Sequence, residues 1–136
     1  MRQFIWFCLL LACITPGTGL YAQSDGGLPA QLYFKLDPPF VVNIEDGEVV
    51  RFMQVNTELQ FSDPAAQPLI EKHVSAIRHA IVMLLSGQPA KVLKTAKGKE
   101  DLRVAALAEV QKIFAENTGV KKPVIESLYF TGFIIQ

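Results

Sequence analysis

Hydrophobic and polar residues alternate most regularly between positions 53 and 61. Met53, Val55, Thr57, Leu59 and Phe61 share one parity, and Gln54, Asn56, Glu58 and Gln60 share the other. A period of two belongs to an extended chain whose side chains point alternately to two faces. The run therefore predicts a long strand with one buried and one wet face. Two shorter apolar runs precede it. Residues 32–36 read as a short strand ended by Pro38-Pro39, and residues 40–44 as another, closed by the polar turn Glu45-Asp46-Gly47.

The period then changes. Asp63-Pro64 predicts a helix start, with an acid at the cap and proline in the first turn, where its missing N–H is not needed. Leu69, Ile70, Val74, Ile77, Ile81, Leu84 and Leu85 follow at helical spacing as one apolar stripe, which Ser86-Gly87 and Pro89 end. A second helix is predicted from about residue 100 to 116, with Leu102, Ala106, Val110, Ile113 and Phe114 inward and Asn117 and Gly119 as its stop. Residues 124–135 are rich in branched and aromatic side chains on both parities. That pattern predicts a strand covered on both faces, or partly covered by a partner chain. Phe130 and Phe133 are an odd number of positions apart and are expected on opposite faces. Strands, two helices and a strand make an α+β domain with a small antiparallel or mixed sheet. No internal repeat or low-complexity tract is present.

The first 22 residues follow different rules. Met1-Arg2-Gln3 supplies one positive charge and residues 4–14 are an apolar run. Pro16, Gly17 and Gly19 come next, and Leu20-Tyr21-Ala22 leads into the polar Gln23-Ser24-Asp25-Gly26-Gly27. This is the layout of a secretory signal. Cleavage after Ala22 is the leading reading, because helix breakers sit just upstream. An uncleaved membrane anchor is the second, since residues 4–22 reach about the 20 residues needed to span hydrocarbon. Lipidation at Cys13 is the third, because Leu10-Leu11-Ala12-Cys13 is similar to a lipoprotein signal. All three export the remainder, which divides into a flexible lead-in over residues 23–31 and one domain over residues 32–136.

Composition narrows the chemistry. The chain has 136 residues, with thirteen Lys+Arg against thirteen Asp+Glu. A nucleic-acid binder usually carries a basic excess to neutralise phosphates, so none is expected as a partner. Both cysteines, Cys8 and Cys13, lie in the leader, so the domain has no thiolate nucleophile and no internal disulfide. His73 and His79, six positions apart on a helix, point about 120° from each other and do not share a metal as an i, i+4 pair does. They read as rim or solvent-facing residues. Ser75 and Ser86 have no evident base. Asp37, Glu45, Asp46 and Glu48 cluster near turns, where carboxylates cap and solubilise. Asp46-Gly47-Glu48 lacks the spaced ligands of a calcium loop. No phosphate loop, dinucleotide fingerprint or nucleophile elbow occurs. The expectation is a protein that is not an enzyme, with no catalytic residue, cofactor, metal or small-molecule substrate. Charge is also unevenly spread. Residues 25–63 hold seven acids and two bases, whereas residues 64–136 hold six acids and ten bases. Lys91, Lys94, Lys97, Lys99 and Arg103 lie close together and read as a solvated loop and helix start. Lys94, Lys97 and Lys99 are also the candidate interface toward an acidic surface.

Several stretches together resemble the flagellar basal-body-associated protein FliL family. They are Pro39-Phe40-Val41-Val42-Asn43, Arg51-Phe52-Met53-Gln54-Val55-Asn56, and the ending Leu128-Tyr129-Phe130-Thr131-Gly132-Phe133-Ile134-Ile135-Gln136. The helical segment 77–86 and Lys97-Gly98-Lys99-Glu100-Asp101-Leu102-Arg103 add to them, so the likeness runs over about residues 33–136. The resemblance implies a periplasmic domain similar to the stomatin/prohibitin (SPFH) fold. It further implies a ring-forming homo-oligomer that contacts the basal body and the MotA/MotB stator units and modulates rotation, swimming or swarming. The N-terminal segment would face or enter the inner membrane. Pro39, Phe40, Asn43, Phe130, Phe133 and Gln136 are then expected as structural motif residues. The chain departs from the family pattern in its short start before the apolar run, and in Gly132, where an acidic residue is common. Those departures fit a diverged paralogue. The alternative from a different class is a soluble periplasmic binding or chaperone-like module.

Overall fold

The computed structural model describes residues 30–119 and 122–136. The strands are β1 (Leu32–Lys35), β2 (Phe40–Asp46), β3 (Val49–Phe61) and β4 (Ser127–Ile135), and the helices are α1 (Ala66–Ser86), α2 (Ala90–Leu93) and α3 (Ala96–Thr118). The class is α+β with an antiparallel sheet, and β3 is its spine. One edge of β3 pairs with β2 over residues 49–55 and with β1 over residues 58–61, while the other edge pairs with β4. β1 and β2 thus lie end to end along one side, and among the described strands β4 is at the edge.

The parity in β3 sorts its faces as expected. Met53, Val55, Thr57, Leu59 and Phe61 are all at most 1% exposed, joined on the same face by Phe40, Val42 and Ile44 of β2. The described helices cover only that face. α1 contributes Ile70, Ile77, Ile81 and Leu85, α3 contributes Leu102, Ala106, Val110 and Phe114, and α2 adds Ala90 and Leu93. Apolar burial across this two-layer contact is the main stabilising term.

Four expectations need correction. Among the described residues the domain has three helices, not two, because residues 90–93 coil once between the longer pair. The last helix begins at Ala96, not near residue 100. The Thr95 hydroxyl caps it by accepting from the Gly98 N–H at 2.9 Å, and the buried glycine in the first turn hides the start from a pattern reading. α1 begins at Ala66, and Asp63 is not its cap residue. Asp63 Oδ1 instead accepts from the Ala65 N–H at 2.9 Å, closing the turn that leads into the helix.

The fourth correction concerns β4. Asn56 pairs with Gly132 but Thr57 pairs with Phe130, so Thr131 is an extra residue and forms a bulge. One added position restores equal parity, placing Phe130 and Phe133 on the same face with ring centroids 5.9 Å apart. They are not on opposite faces. Among the described residues β4 is covered on one face only. Tyr129 (40% exposed) and Ile134 (48%) lie open on the other.

Candidate functional site

The features with functional potential gather where α2 turns into α3 beside β4. The elbow is held by Thr95, whose hydroxyl also donates to the Val92 carbonyl at 2.8 Å. Gly98 is needed at this crossing, since a Cβ there would lie 2.1 Å from the Val92 carbonyl oxygen. The close approach fixes where the lysines stand.

Each of the three candidate interface lysines meets a different partner. Lys94 Nζ donates to Asp46 Oδ2 at 2.7 Å, and Arg51 Nε donates to the same oxygen at 2.7 Å. The Lys94 bond, followed by the Arg51 bond, holds the Asp46 carboxyl below the usual carboxylate range. This ties the β2–β3 hairpin end to the elbow. Part of the charge excess of the two sequence halves therefore meets inside one molecule. Lys97 pairs with Asp101 at 2.6 Å, one turn along α3. Lys99 lies over the Phe133 ring, 4.9 Å from its centroid.

Arg103, outside the expected interface set, is central to this corner. Its guanidinium grips both Glu100 oxygens, at 2.8 and 2.6 Å, and donates to the Leu128 carbonyl at 3.2 Å. The Arg103 contact lowers the Glu100 pKa, and Glu100 in turn raises that of Arg103. Lys99, Glu100, Arg103, Tyr129, Phe130 and Phe133 line a shallow groove of about 340 Å³.

The motif residues divide among three places. Phe130 and Phe133 share the groove. Asn43 and Gln136 flank Phe52 from opposite sides on the open sheet face, Asn43 by strand pairing and Gln136 by two backbone hydrogen bonds of 3.0 and 2.8 Å. Phe52 itself is 59% exposed. Phe40 is buried with the Arg78 guanidinium 4.4 Å from its ring centroid, and Pro39 is half-buried beside it. Arg78 also donates to the Leu36 and Pro38 carbonyls at 2.9 and 2.8 Å, clamping the turn between β1 and β2. A charged residue bordering the α1 apolar stripe was the sequence signal for this clamp.

Other chemistry is sparse. The His73 and Phe114 rings meet edge to face, with centroids 5.9 Å apart, and His79 is exposed. Among the described residues no group of three or more His, Cys, Asp or Glu is placed to hold a metal. A second cleft, of about 610 Å³, is lined by Ser62, Asp63, Leu69, Pro123, Val124 and Glu126. No described helix is long and apolar enough to cross a membrane. The leader, with Cys13 and Ala22, and the lead-in up to residue 29 lie outside the described residues.

Comparison with known proteins agrees with the resemblance in the sequence. The family described as "Flagellar basal body-associated protein FliL" matches residues 33–136. The chain is 30% identical over 105 residues to "Flagellar protein FliL" of Aquifex aeolicus (strain VF5), covering 77% of this chain and 62% of that protein. It is 26% identical over 141 residues to "Flagellar protein FliL" of Escherichia coli (strain K12), covering 96% of this chain and 87% of that protein. A Shigella flexneri protein of the same name matches to the same extent.

Proposed function

Because the chain belongs to the family of flagellar basal body-associated protein FliL, we propose that it is a non-enzymatic accessory of the flagellar motor. In this reading the domain stands on the periplasmic side of the inner membrane, delivered there by the N-terminal segment. It self-associates into a ring, with a stomatin/prohibitin-like domain as the repeating unit, and contacts the MotA/MotB stator units to modulate rotation, swimming or swarming. The observation that carries the reading is the extent of the family match, which takes in every described strand and helix from Tyr33 onward.

The surface chemistry supports contact as the mode of action. Among the described residues no helix lies on the outer sheet face, which exposes Val41, Phe52 and Ile134, close together across three paired strands. Exposed apolar residues that adjoin one another mark surfaces other proteins cover. The basic elbow offers the complementary polar contact, and a heterologous acidic-to-basic pairing is one that closes rings. Lys97 and Lys99 are the useful positions for testing that contact. Reversing Lys94 would untie the β2–β3 hairpin end from the elbow, whereas reversing Lys97 breaks only its exposed pair with Asp101 one turn along α3.

The test is a deletion strain complemented by wild type or by the Lys97→Glu/Lys99→Glu variant. The deletion strain should build filaments yet swim or swarm abnormally in viscous medium. The variant should complement poorly, and its assembly should weaken in a salt-dependent way. Wild-type protein should co-purify with stator proteins. Normal motility of the deletion strain at every viscosity, with no stator co-purification, would remove the motor reading and favour the binding-module alternative. Intact mass of the native protein separates the three tethers. Gln23 as first residue means cleavage, an intact Met1 means an anchor, and diacylglycerol on Cys13 means lipidation.

A further inference from the structure

We propose that the free edge of β4, with the first turns of α3, takes an extended segment of another protein as an added strand, one acidic side chain of the guest meeting Lys99. The inference rests on the reading of this corner as a contact surface, and its test needs no flagellum.

Backbone geometry identifies the edge. Phe52 and Gln136 exchange both of their backbone hydrogen bonds, at 3.0 and 2.8 Å. Such pairs alternate with non-bonded pairs along an antiparallel ladder. Ile135 and Phe133, opposite Met53 and Val55, therefore turn their N–H and C=O groups away from β3. Among the described residues β4 pairs with β3 alone. Natural edge strands are usually blunted by charge, proline or cover. Here Arg103 caps the edge at Leu128, and the bulge at Thr131 interrupts it. Residues 133–135, beyond the bulge, carry neither proline nor charge.

The side chains around this stretch set the guest's chemistry. Arg103 and Glu100 satisfy each other, so they add little net field to the groove. Lys99 is different. The contact identified for its ammonium is the Phe133 ring, a weaker partner than a carboxylate. Phe130 and Phe133, half-buried and packed edge to face, supply an apolar floor beside it. A strand laid along β4 presents alternate side chains to this floor. The matching guest carries an acidic and an apolar residue two positions apart. The groove volume of about 340 Å³ suits a short extended segment better than a folded domain.

The test is amide-resolved hydrogen exchange on the full chain in detergent micelles. Three synthetic peptides serve as probes: alternating threonines with Leu, Glu and Leu on the other parity, the same peptide with Lys for Glu, and the Glu peptide N-methylated on its pairing edge. The Glu peptide should slow exchange of the Phe133 and Ile135 amides. The N-methylated peptide should not, and the Lys peptide should bind about tenfold more weakly. Lys99→Glu should reverse the preference between Glu and Lys peptides. If that variant fails to fold, the N-methylated comparison on wild type still decides. Equal binding of Glu and Lys peptides would overturn the proposal, as would no protection by any of them. Protection without peptide would overturn it too. If that protection rises with protein concentration, a second copy fills the edge; if it does not, the chain itself covers it.

Discussion

Gly98→Ala separates two opposing effects at the elbow that positions the basic residues. Helix propensity alone favours alanine over glycine by about 1 kcal/mol inside a helix, and Gly98 lies in the first turn of α3. Packing opposes it. The added Cβ would stand 2.1 Å from the Val92 carbonyl oxygen, 2.6 Å from Val92 Cγ1 and 2.8 Å from the Val92 carbonyl carbon. Two of these three atoms are backbone, so no rotamer change clears the clash and α2 must move off α3. Overpacking of this kind costs roughly 1–3 kcal/mol. The contact lies at the severe end, so it outweighs the propensity gain and leaves a net loss of about 1–2 kcal/mol. For a domain of this size the melting midpoint should fall by roughly 4–8 °C per kcal/mol. Two other glycines calibrate the result. Gly87→Ala meets only ordinary contacts, with the nearest atom 3.7 Å away, and should stay within about 0.5 kcal/mol of wild type. Gly119→Ala has open space but sits at φ +65°, and should lose about 1 kcal/mol to backbone strain. Urea unfolding followed by far-ultraviolet circular dichroism gives all three values. A Gly98→Ala protein as stable as wild type, or more so, would refute the close packing of α2 on α3.

Three further predictions follow from burial and charge. Thr57 is 1% exposed and its hydroxyl has no hydrogen-bond partner among the described residues, so Thr57→Val should be neutral or stabilise by up to about 1 kcal/mol in urea unfolding; a clear loss would mean the hydroxyl is satisfied. Phe133→Ala should cost about 1–2 kcal/mol, less than the roughly 3–5 kcal/mol expected for Phe40→Ala, because Phe133 is half-buried and Phe40 is 1% exposed; equal losses would contradict the edge position of Phe133. Lys94 and Arg51 depress the Asp46 pKa, so this carboxylate stabilises the fold above its unfolded pKa of about 4 and ceases to as pH falls through the lower folded value. Asp46→Asn should be less stable than wild type at neutral pH and converge with it in acid, and a pH-independent difference would count against the ion-pair account.

What the sequence made legible was what depends on local period. The alternation from Met53 to Phe61 and the stripe from Ile70 to Leu85 each report a face, and both faces are buried as read. The α3 stripe through Leu102, Ala106, Val110 and Phe114 was legible for the same reason. The bulge was not, because one extra residue at Thr131 changes parity without changing residue type. The start of α3 was hidden because lysines and a glycine read as loop, whereas Gly98 is selected by its contact with Val92. The candidate site depends on tertiary pairs that spacing does not reveal. Lys94 meets Asp46 across 48 positions, and Arg103 meets Leu128 across 25. The lysines were visible as a cluster, but which of them keeps its charge available was decided by the fold.

The central claim, that the protein acts on the working motor through its stator units, is most directly tested by torque on single motors. A bead attached to a filament stub reports speed against load in wild-type and deletion strains, and stepwise speed changes report how many stator units are engaged. The account predicts that the two strains differ most at high load, with a changed number of engaged units and normal filament assembly. Identical torque–speed curves and identical step numbers across the load range would contradict it.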